Sequence, residues 1–196
     1  MGIGIILLAA GSSSRLGQSK QLLLYKGETL LINAAKAAIQ SGADYCVAVL
    51  GANDSKHKEN ISALDMPTIY NSQWQEGIGS SIKAGLSYLQ SRQNENLEAA
   101  VVMVCDQVYI TAAHLQLLIE TYKKNKNSIV ASSYNDTYGV PAVFDSKYFQ
   151  DIKELKGEEG AKKIISQFKK VVNFVDFPGG AIDIDTLGDY EKIVNI

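Results

Sequence analysis

Four short, continuous apolar runs alternate along the chain with segments of helical periodicity. The runs occupy residues Ile3–Ala9, Tyr45–Leu50, Ala99–Val104 and Ser128–Ser132. A strand buried on both faces of a parallel sheet has this continuous apolar pattern, whereas a strand with one solvated face alternates. The segments between the runs predict helices over Thr29–Gln40, Ser80–Gln90 and Thr111–Lys124. Strands and helices in alternation indicate β-α-β units and an open α/β sheet.

The last third of the chain has a different rhythm. It predicts a short apolar segment, a helix, a strand and a final short helix over Tyr138–Phe144, Gly157–Phe168, Val171–Phe177 and Asp189–Val194. No internal repeat or low-complexity tract divides residues 1–196, so we expect a single domain. The expected fold is a Rossmann-like open, mostly parallel sheet with helices on both faces and an antiparallel excursion in the last third.

The charge balance limits the partners of this chain. Its 196 residues include 19 Lys and Arg against 21 Asp and Glu, which gives a net charge of −2. A wide basic surface for duplex nucleic acid is therefore not expected. The apolar N-terminus lacks a basic leader, and no apolar stretch approaches the ~20 residues of a membrane span. We expect a cytoplasmic protein with no nucleic-acid or membrane partner.

The cysteines and histidines predict neither a disulfide framework nor a zinc or iron site. Cys46 and Cys105 each lie in an apolar run, where a free cysteine behaves as a small hydrophobic residue. His57 and His114 lack metal-ligand spacing with each other or with a cysteine. The segment Lys56-His57-Lys58 is expected to be solvated surface.

The most informative segment is the Gly- and Ser-rich loop within Leu8–Lys20, directly after the first predicted strand. Such a loop exposes several backbone N–H groups and can cradle an anion such as phosphate. Arg15 and Lys20 would add positive charge there, Arg as a bidentate clamp and Lys as a point charge. The loop matches neither a Walker A sequence nor a dinucleotide-binding G-x-G-x-x-G fingerprint. An ordinary solvated turn is the alternative interpretation.

Acidic residues occur at two positions suited to a metal ion. Asp106, followed by Gln107, ends a predicted buried strand, where α/β sheets bind ligands. A carboxylate there can hold Mg²⁺, or it can cap the next helix. Asp183 and Asp185 are spaced to share one face of a strand. The alternative is a strand end that leads into a helix cap.

A third segment, Gly77-Ile-Gly79-Ser80-Ser81, lies at the start of a predicted helix. Its glycines allow the backbone to approach a ligand, and its serines lie at a helix N-terminus, where anions bind. An ordinary helix cap accounts for the same residues.

The loop after the first strand carries a family resemblance. Its pattern Leu-Ala-Ala-Gly-x-Ser-x-Arg-x-Gly-x-x-Lys resembles the signature of nucleotidyltransferases with a MobA-like NTP transferase domain. The Leu-Ala-Ala-Gly form is most like the molybdenum cofactor cytidylyltransferase branch. The resemblance implies that a triphosphate is wrapped by Leu8, Ala9, Ala10, Gly11, Ser12 and Ser13, with Arg15 and Lys20 on its phosphates.

Two acidic motifs extend the resemblance. The strand end Cys105-Asp106-Gln107 resembles an Asp-Gln-Pro segment of that branch, although Val108 replaces the proline. The segment 183–189 resembles its Asp-Ile-Asp-Thr-Pro-Glu-Asp motif, with Leu and Gly in place of Pro-Glu. The resemblance implies that Asp106 and Asp185 bind Mg²⁺, with Asp183 supporting or replacing Asp185. It also implies that the catalytic residues are Arg15, Lys20 and Asp106.

Further segments follow in the order seen in the family. Residues 77–81 resemble its Gly-Met-Gly-x-Ser-Leu stretch, which implies that the nucleotide is also held by Gly79, Ser80 and Ser81. Residues 138–141 resemble its Gly-x-Pro segment, and residues 157–162 its Gly-Asp-x-Gly-Ala-Arg segment. The expected pocket for the second substrate includes Gln107, Gly139, Pro141 and Asp183.

The resemblance implies a nucleotide-diphospho-sugar transferase-like fold and a defined reaction. CMP would pass from CTP to molybdopterin cofactor, pyrophosphate would be released, and a molybdenum enzyme would receive the product. One alternative is the same chemistry with GTP or with another phosphorylated acceptor. Another is a protein that binds and delivers nucleotide or cofactor without turnover.

Overall fold

A computed structural model describes residues 2–13, 16–93, 96–184 and 186–194. Within these residues the strands are β1 (Gly2–Ala9), β2 (Leu24–Tyr25), β3 (Glu28–Thr29), β4 (Tyr45–Leu50), β5 (Thr68–Tyr70), β6 (Leu97–Val104), β7 (Ile129–Tyr134), β8 (Thr137–Asp145) and β9 (Val172–Asp176). The helices are α1 (Leu30–Ile39), α2 (Asp54–Asn60), α3 (Ile78–Gln93), α4 (Ala112–Lys124), α5 (Phe149–Lys153), α6 (Ala161–Gln167) and α7 (Leu187–Val194).

One large sheet organises these elements. In the described residues it has seven strands in the order β5-β4-β1-β6-β8-β7-β9, and β2 pairs with β3 in a separate small ribbon. β1 is parallel to β4 on one side and to β6 on the other. β8 runs antiparallel to both of its neighbours, and β9 is parallel to β7. The prediction of a mostly parallel sheet with an antiparallel part late in the chain is confirmed.

The sheet is buried on both faces, which explains why its strands are continuously apolar. Ile5 and Leu7 of β1 belong to the core cluster shared with α1 and α4. Ile6 and Leu8 belong to the opposite cluster, shared with α3, α5 and α6. Successive residues of β1 therefore pack into different layers, and each layer supplies a helix to cover it.

The direction of chain growth reverses at β1. The chain passes from β1 to β4 and β5 on one side, and α3 then leads to β6 on the other side. The carboxyl ends of β1 and β6 consequently border a crevice at a topological switch point, where open α/β sheets bind ligands.

A third, smaller core cluster joins the loop after β1 to the C-terminal segment. It contains Leu16, Leu23, Leu30, Val108, Ile184 and Ile193. Ile184 is fully buried within it, so the segment around Asp183 is anchored beside the loop that follows β6.

Two local predictions are wrong. Lys56 and Lys58 of α2 are exposed as predicted, but His57 between them is fully buried rather than solvated. The helix predicted from Gly157 begins only at Ala161, because Gly157 adopts a left-handed conformation with φ +52° and a turn precedes the helix. The other predicted elements differ from the observed ones by a few residues at their ends.

No helix within the described ranges combines the length and the apolar composition that a bilayer span requires.

Candidate active site

A cavity of about 660 Å³ opens at the carboxyl ends of β1 and β6. The loop after β1, the start of α3 and the end of β6 form its walls. The predicted nucleotide-binding residues that line it are Leu8, Ala9, Ala10, Gly11, Ser12, Ser13, Lys20 and Ser81, and the predicted metal ligand Asp106 lines it too. The fold thus brings together predicted residues from three distant segments.

The loop after β1 is held from behind by the buried side chain of Gln21. Its Nε2 donates to the main-chain oxygens of Ala9 (3.3 Å) and Gly11 (2.8 Å). Its Oε1 accepts from the hydroxyls of Ser13 (3.0 Å) and Ser19 (2.8 Å). The donors and lone pairs of this amide are all used inside the loop, so the positions of Ala9, Gly11, Ser13 and Ser19 are held without a ligand.

Ser13 contributes to this brace rather than facing the cavity with an unused hydroxyl. It adopts a left-handed conformation with φ 54°, and its Oγ accepts from the N–H of Lys20 at 2.9 Å while donating to Gln21. The predicted phosphate ligand Arg15 lies outside the described residues.

Lys20 and Asp106 meet at the edge of the cavity. The Nζ of Lys20 lies 2.9 Å from Oδ2 of Asp106, and the two side chains are 14% and 26% exposed. The pair places one cationic and one anionic group between the loop after β1 and the end of β6. A ligand that carries phosphates and a cation can engage each group separately.

The C-terminal segment approaches the same strand end. Gln107 and Asp183 pair as an antiparallel bridge, so the main chain at Asp183 lies next to the segment that carries Asp106. The Nε2 of Gln107 also donates to the main-chain oxygens of Val140 (2.9 Å) and Gly180 (3.2 Å). Gln107 therefore ties β6, β8 and the C-terminal segment together.

Gly139 and Pro141 lie on β8 and are both buried, and neither is among the residues that line the cavity. A side chain at Gly139 would collide with the hydroxyl of Tyr134. Burial raises the pKa of that hydroxyl, and the nearby charge of Asp183 raises it further, whereas a hydrogen bond with Gln107 lowers it. The main-chain oxygen of Pro141 accepts a hydrogen bond from the buried hydroxyl of Ser132.

The start of α3 is fixed by Asn71. Its Nδ2 donates to the hydroxyls of Ser80 (2.8 Å) and Ser81 (3.0 Å). Ser80 is buried and donates onward to main-chain oxygens, whereas Ser81 lines the cavity. Gly79 packs against the main chain of residues 157–159, where an added Cβ would lie 3.0 Å from the oxygen of Glu159.

The carboxylates at this site suit a hard divalent cation. Asp106 and Asp183 offer oxygen ligands of the kind that Mg²⁺ and Mn²⁺ prefer. Within the described ranges no group of three or more His, Cys, Asp or Glu residues is arranged to hold a metal, and Asp185 lies outside those ranges. Magnesium is often held through one or two carboxylates plus substrate phosphates. Asp106 at the cavity edge therefore fits a metal that binds together with a nucleotide.

Two further titratable groups, the thiol of Cys105 and the imidazole of His57, favour their neutral forms. Cys105 lines the cavity, and burial raises the pKa of its thiol well above the usual range. Burial also lowers the pKa of His57, although the charge of Asp54 acts in the opposite direction. Neither group is thereby suited to carry charge at neutral pH.

Comparison with family models now identifies the domain. Residues 5–171 match the model of the MobA-like NTP transferase domain. The chain belongs to the MobA-like NTP transferase family. The predicted family resemblance is confirmed, and so is the nucleotidyltransferase type of fold.

Two curated relatives are similar over nearly the whole of this MobA-like chain. Purine catabolism protein PucB of Bacillus subtilis (strain 168) is 28% identical over 200 residues, covering 96% of this chain and 94% of PucB. Nicotine blue oxidoreductase of Paenarthrobacter nicotinovorans is 28% identical over 198 residues, covering 96% and 95%. Their names describe different roles, so similarity to them does not identify an acceptor.

Solved structures agree on the fold. Rv0371c from Mycobacterium tuberculosis H37Rv superposes with a TM-score of 0.84 and 27% identity, covering 100% of this chain and 98% of that one. A second structure of Rv0371c, in complex with manganese, gives a TM-score of 0.81 and 24% identity, covering 100% and 99%.

Sequence patterns in this MobA-like domain did not indicate several residues that shape the site. Gln21, His57 and Asn71 act through buried polar contacts that no periodicity reveals. Glu158 also lines the cavity. The proximity of Glu158 follows from the packing of residues 157–159 against Gly77 and Gly79, two glycines that the sequence predicts to approach a ligand.

Proposed function

We propose that this chain is a Mg²⁺-dependent cytidylyltransferase that transfers CMP from CTP to molybdopterin cofactor and releases pyrophosphate. Family membership supports a nucleotidyltransferase, and the proposal adds the nucleotide, the acceptor and the metal. One observation carries it: the cavity at the switch point joins a braced Gly/Ser-rich loop to the Lys20–Asp106 pair.

The proposed reaction is a direct phosphoryl substitution. A phosphate oxygen of the pterin cofactor forms a bond to the α-phosphorus of CTP. The bond from that phosphorus to the oxygen bridging to the β-phosphate breaks, and pyrophosphate leaves with the bonding electrons. Such a transfer depends on positioning and charge stabilisation and needs no covalent intermediate with the protein.

In this proposal the chain supplies positive charge around the triphosphate. Main-chain N–H groups of residues 8–13, Lys20 and Arg15 contact the phosphates and stabilise the charge that develops at the α-phosphate. Phosphate oxygens replace Asp106 as the partner of Lys20, which leaves the carboxylate available to a cation. Asp106 and Asp185, with Asp183 supporting or replacing Asp185, would hold Mg²⁺, which would offset further negative charge on the phosphates.

The remaining assigned residues have binding roles in this proposal. Gly79, Ser80 and Ser81 at the start of α3 hold the nucleoside end, with Ser80 acting from behind through Asn71. The acceptor lies against the wall formed by Gln107, Gly139, Pro141 and Asp183. A cytoplasmic molybdenum enzyme is the proposed recipient of the product.

Because this chain departs from the family pattern at three positions, the experiment must also distinguish two alternative functions. Val108, Leu187 and Gly188 stand where the cytidylyltransferase branch has Pro, Pro and Glu. One rival is transfer from GTP, or to another phosphorylated acceptor. The other is a binding and delivery protein without turnover.

The discriminating experiment combines purified protein, Mg²⁺ and molybdenum-loaded cofactor with CTP, GTP, ATP or UTP in separate reactions. The proposal expects pyrophosphate release with CTP. Pyrophosphate release with GTP alone would overturn the assignment of cytosine as the base. Pyrophosphate release with CTP only after another acceptor is added would overturn the assignment of the pterin cofactor as the acceptor. Tight binding without release in every reaction would favour the delivery protein. Mn²⁺ in place of Mg²⁺ tests the metal assignment in parallel.

A further inference from the structure

The polar contacts behind the loop after β1 have a defined direction. The Nε2 of Gln21 must be its amide nitrogen, because it faces the main-chain oxygens of Ala9 and Gly11. The Oε1 of Gln21 can then only accept, so the hydroxyls of Ser13 and Ser19 both donate to it. The single hydroxyl proton of Ser19 is thereby used.

His57 must consequently act as a hydrogen-bond donor. Its Nε2 lies 2.6 Å from Oγ of Ser19, which has lone pairs but no second proton to give. The histidine therefore carries its proton on Nε2. Its Nδ1 is buried and has no partner among the described residues, which is an unfavourable arrangement for a side chain that only fills space. An apolar side chain would fill this site without that cost, so the specific contribution of histidine is its Nε2–H.

The direction of these hydrogen bonds determines where the main-chain N–H groups of the loop point. The C=O and the following N–H of one trans peptide point in opposite directions. Gln21 holds the oxygens of Ala9 and Gly11, and the N–H of Ala52 holds the oxygen of Ala10 at 3.1 Å. The three successive peptide groups that begin at Ala9, Ala10 and Gly11 therefore have fixed orientations in the cavity wall, with each N–H directed away from its bonded oxygen.

We propose that His57 is a positioning residue for nucleoside triphosphate binding. Through Ser19 and Gln21, its Nε2–H sets the peptide groups that offer N–H donors to the phosphates. This inference rests on the proposed function only in that the cavity binds a nucleoside triphosphate. It does not depend on the base, the acceptor or turnover.

The test uses two amides that place their N–H groups differently. In His57→Gln the amide nitrogen can reach the position of Nε2 and donate to Ser19, whereas in His57→Asn it stops near the position of Nδ1. Binding of MgCTP and MgGTP is measured by calorimetry and by the fluorescence of Trp74, the one tryptophan of the chain, which lines the cavity. We expect His57→Asn to weaken binding about tenfold, as for a lost hydrogen bond, and His57→Gln to stay within about threefold of wild type.

Ser19→Ala removes the hydroxyl that connects His57 to Gln21, and Ser19 is only half-buried. This variant therefore tests the same connection even if the His57 variants fail to fold. The double variant Ser19→Ala/His57→Asn should bind no more weakly than Ser19→Ala alone, because both changes remove one connection. His114→Asn is the matched control, since His114 is also buried and lies 2.8 Å from a serine hydroxyl, that of Ser132, outside the cavity lining. It should lower the melting temperature and leave nucleotide affinity unchanged.

Several outcomes would overturn the inference. Folded His57→Asn protein with wild-type affinity would do so, and so would additive losses in the double variant. An equal loss of nucleotide affinity in His114→Asn would show that the effect of His57→Asn arises from a general loss of stability. In all three cases a wild-type protein that binds triphosphate leaves the proposed function standing, whereas a wild type that binds none overturns both.

Discussion

The ammonium group of Lys20 lies 2.9 Å from a carboxylate oxygen of Asp106, although 86 positions separate the two residues in the chain. One belongs to the loop after β1 and the other follows β6, the parallel neighbour of β1. Their contact places opposite charges in the lining of the cavity. When a nucleotide binds with its cation, a phosphate would replace Asp106 at Lys20, and the cation would replace Lys20 at Asp106.

Asp106→Asn tests this exchange because it removes the charge and keeps the shape. Turnover should fall by at least about 100-fold, a loss typical when charge stabilisation is removed from an active site. In the presence of a chelator, the variant should bind CTP a few-fold more tightly than wild type, since one negative charge that competes with the phosphates for Lys20 is removed. Pyrophosphate release and calorimetry measure the two effects. Full activity in the variant would contradict the role of Asp106.

The wall formed by β8 should respond to added volume at Gly139. Gly139→Ala brings a methyl group onto the hydroxyl of Tyr134, and overpacking of this kind costs about 1–3 kcal/mol of unfolding free energy. Tyr134→Phe removes that hydroxyl, and the nearest remaining ring carbon lies 3.4 Å from the added Cβ, so the double variant should recover most of the loss.

The same pair of variants separates the acceptor from the nucleotide. Gly139→Ala should raise the KM for the acceptor and leave the KM for CTP unchanged, because Gly139 lies outside the residues that line the cavity. Thermal melts and initial rates measure both effects. If only the KM for CTP rises, the acceptor does not bind against β8 and another surface must hold it.

Acid should destabilise the fold through His114. Burial lowers the pKa of His114 to about 4, while the charge of Asp176 acts in the opposite direction. Between about pH 6.5 and about 4 the unfolded chain binds the additional proton, so stability is complete above this window and decreases as pH falls through it. This window of about 2.5 pH units corresponds to at most about 3.4 kcal/mol of unfolding free energy.

His114→Gln supplies the control for this pH dependence. It retains a donor for Ser132 but has no group that titrates, so urea unfolding free energies should fall less steeply between pH 6.5 and 4 than in wild type. Identical slopes would show that His114 does not control the acid response.

Local patterns were sufficient to predict the sheet and much of the cavity lining. The continuous apolar runs that became β1, β4 and β6 are long enough to show burial on both faces. The strand ends then place Gly11 and Asp106 on one edge, because parallel neighbours finish at the same side of a sheet.

Buried polar contacts could not be predicted in the same way. His57 lies between two lysines on a helix of seven residues, which is too short for one buried position to produce a periodic signal. Ser80 has the sequence position of a ligand, yet its hydroxyl is committed to Asn71 and to main-chain oxygens. Its use depends on tertiary packing, as does the contact between Lys20 and Asp106.

The central claim is most directly tested by following the α-phosphate of CTP into a product. Wild-type protein, Mg²⁺, CTP and molybdenum-loaded pterin cofactor are incubated, and the products are resolved by mass spectrometry. The account predicts one cytidylylated cofactor for each pyrophosphate, with neither product formed above background by Asp106→Asn. Intact CTP and unmodified cofactor after incubation with folded, nucleotide-binding wild-type protein would contradict it.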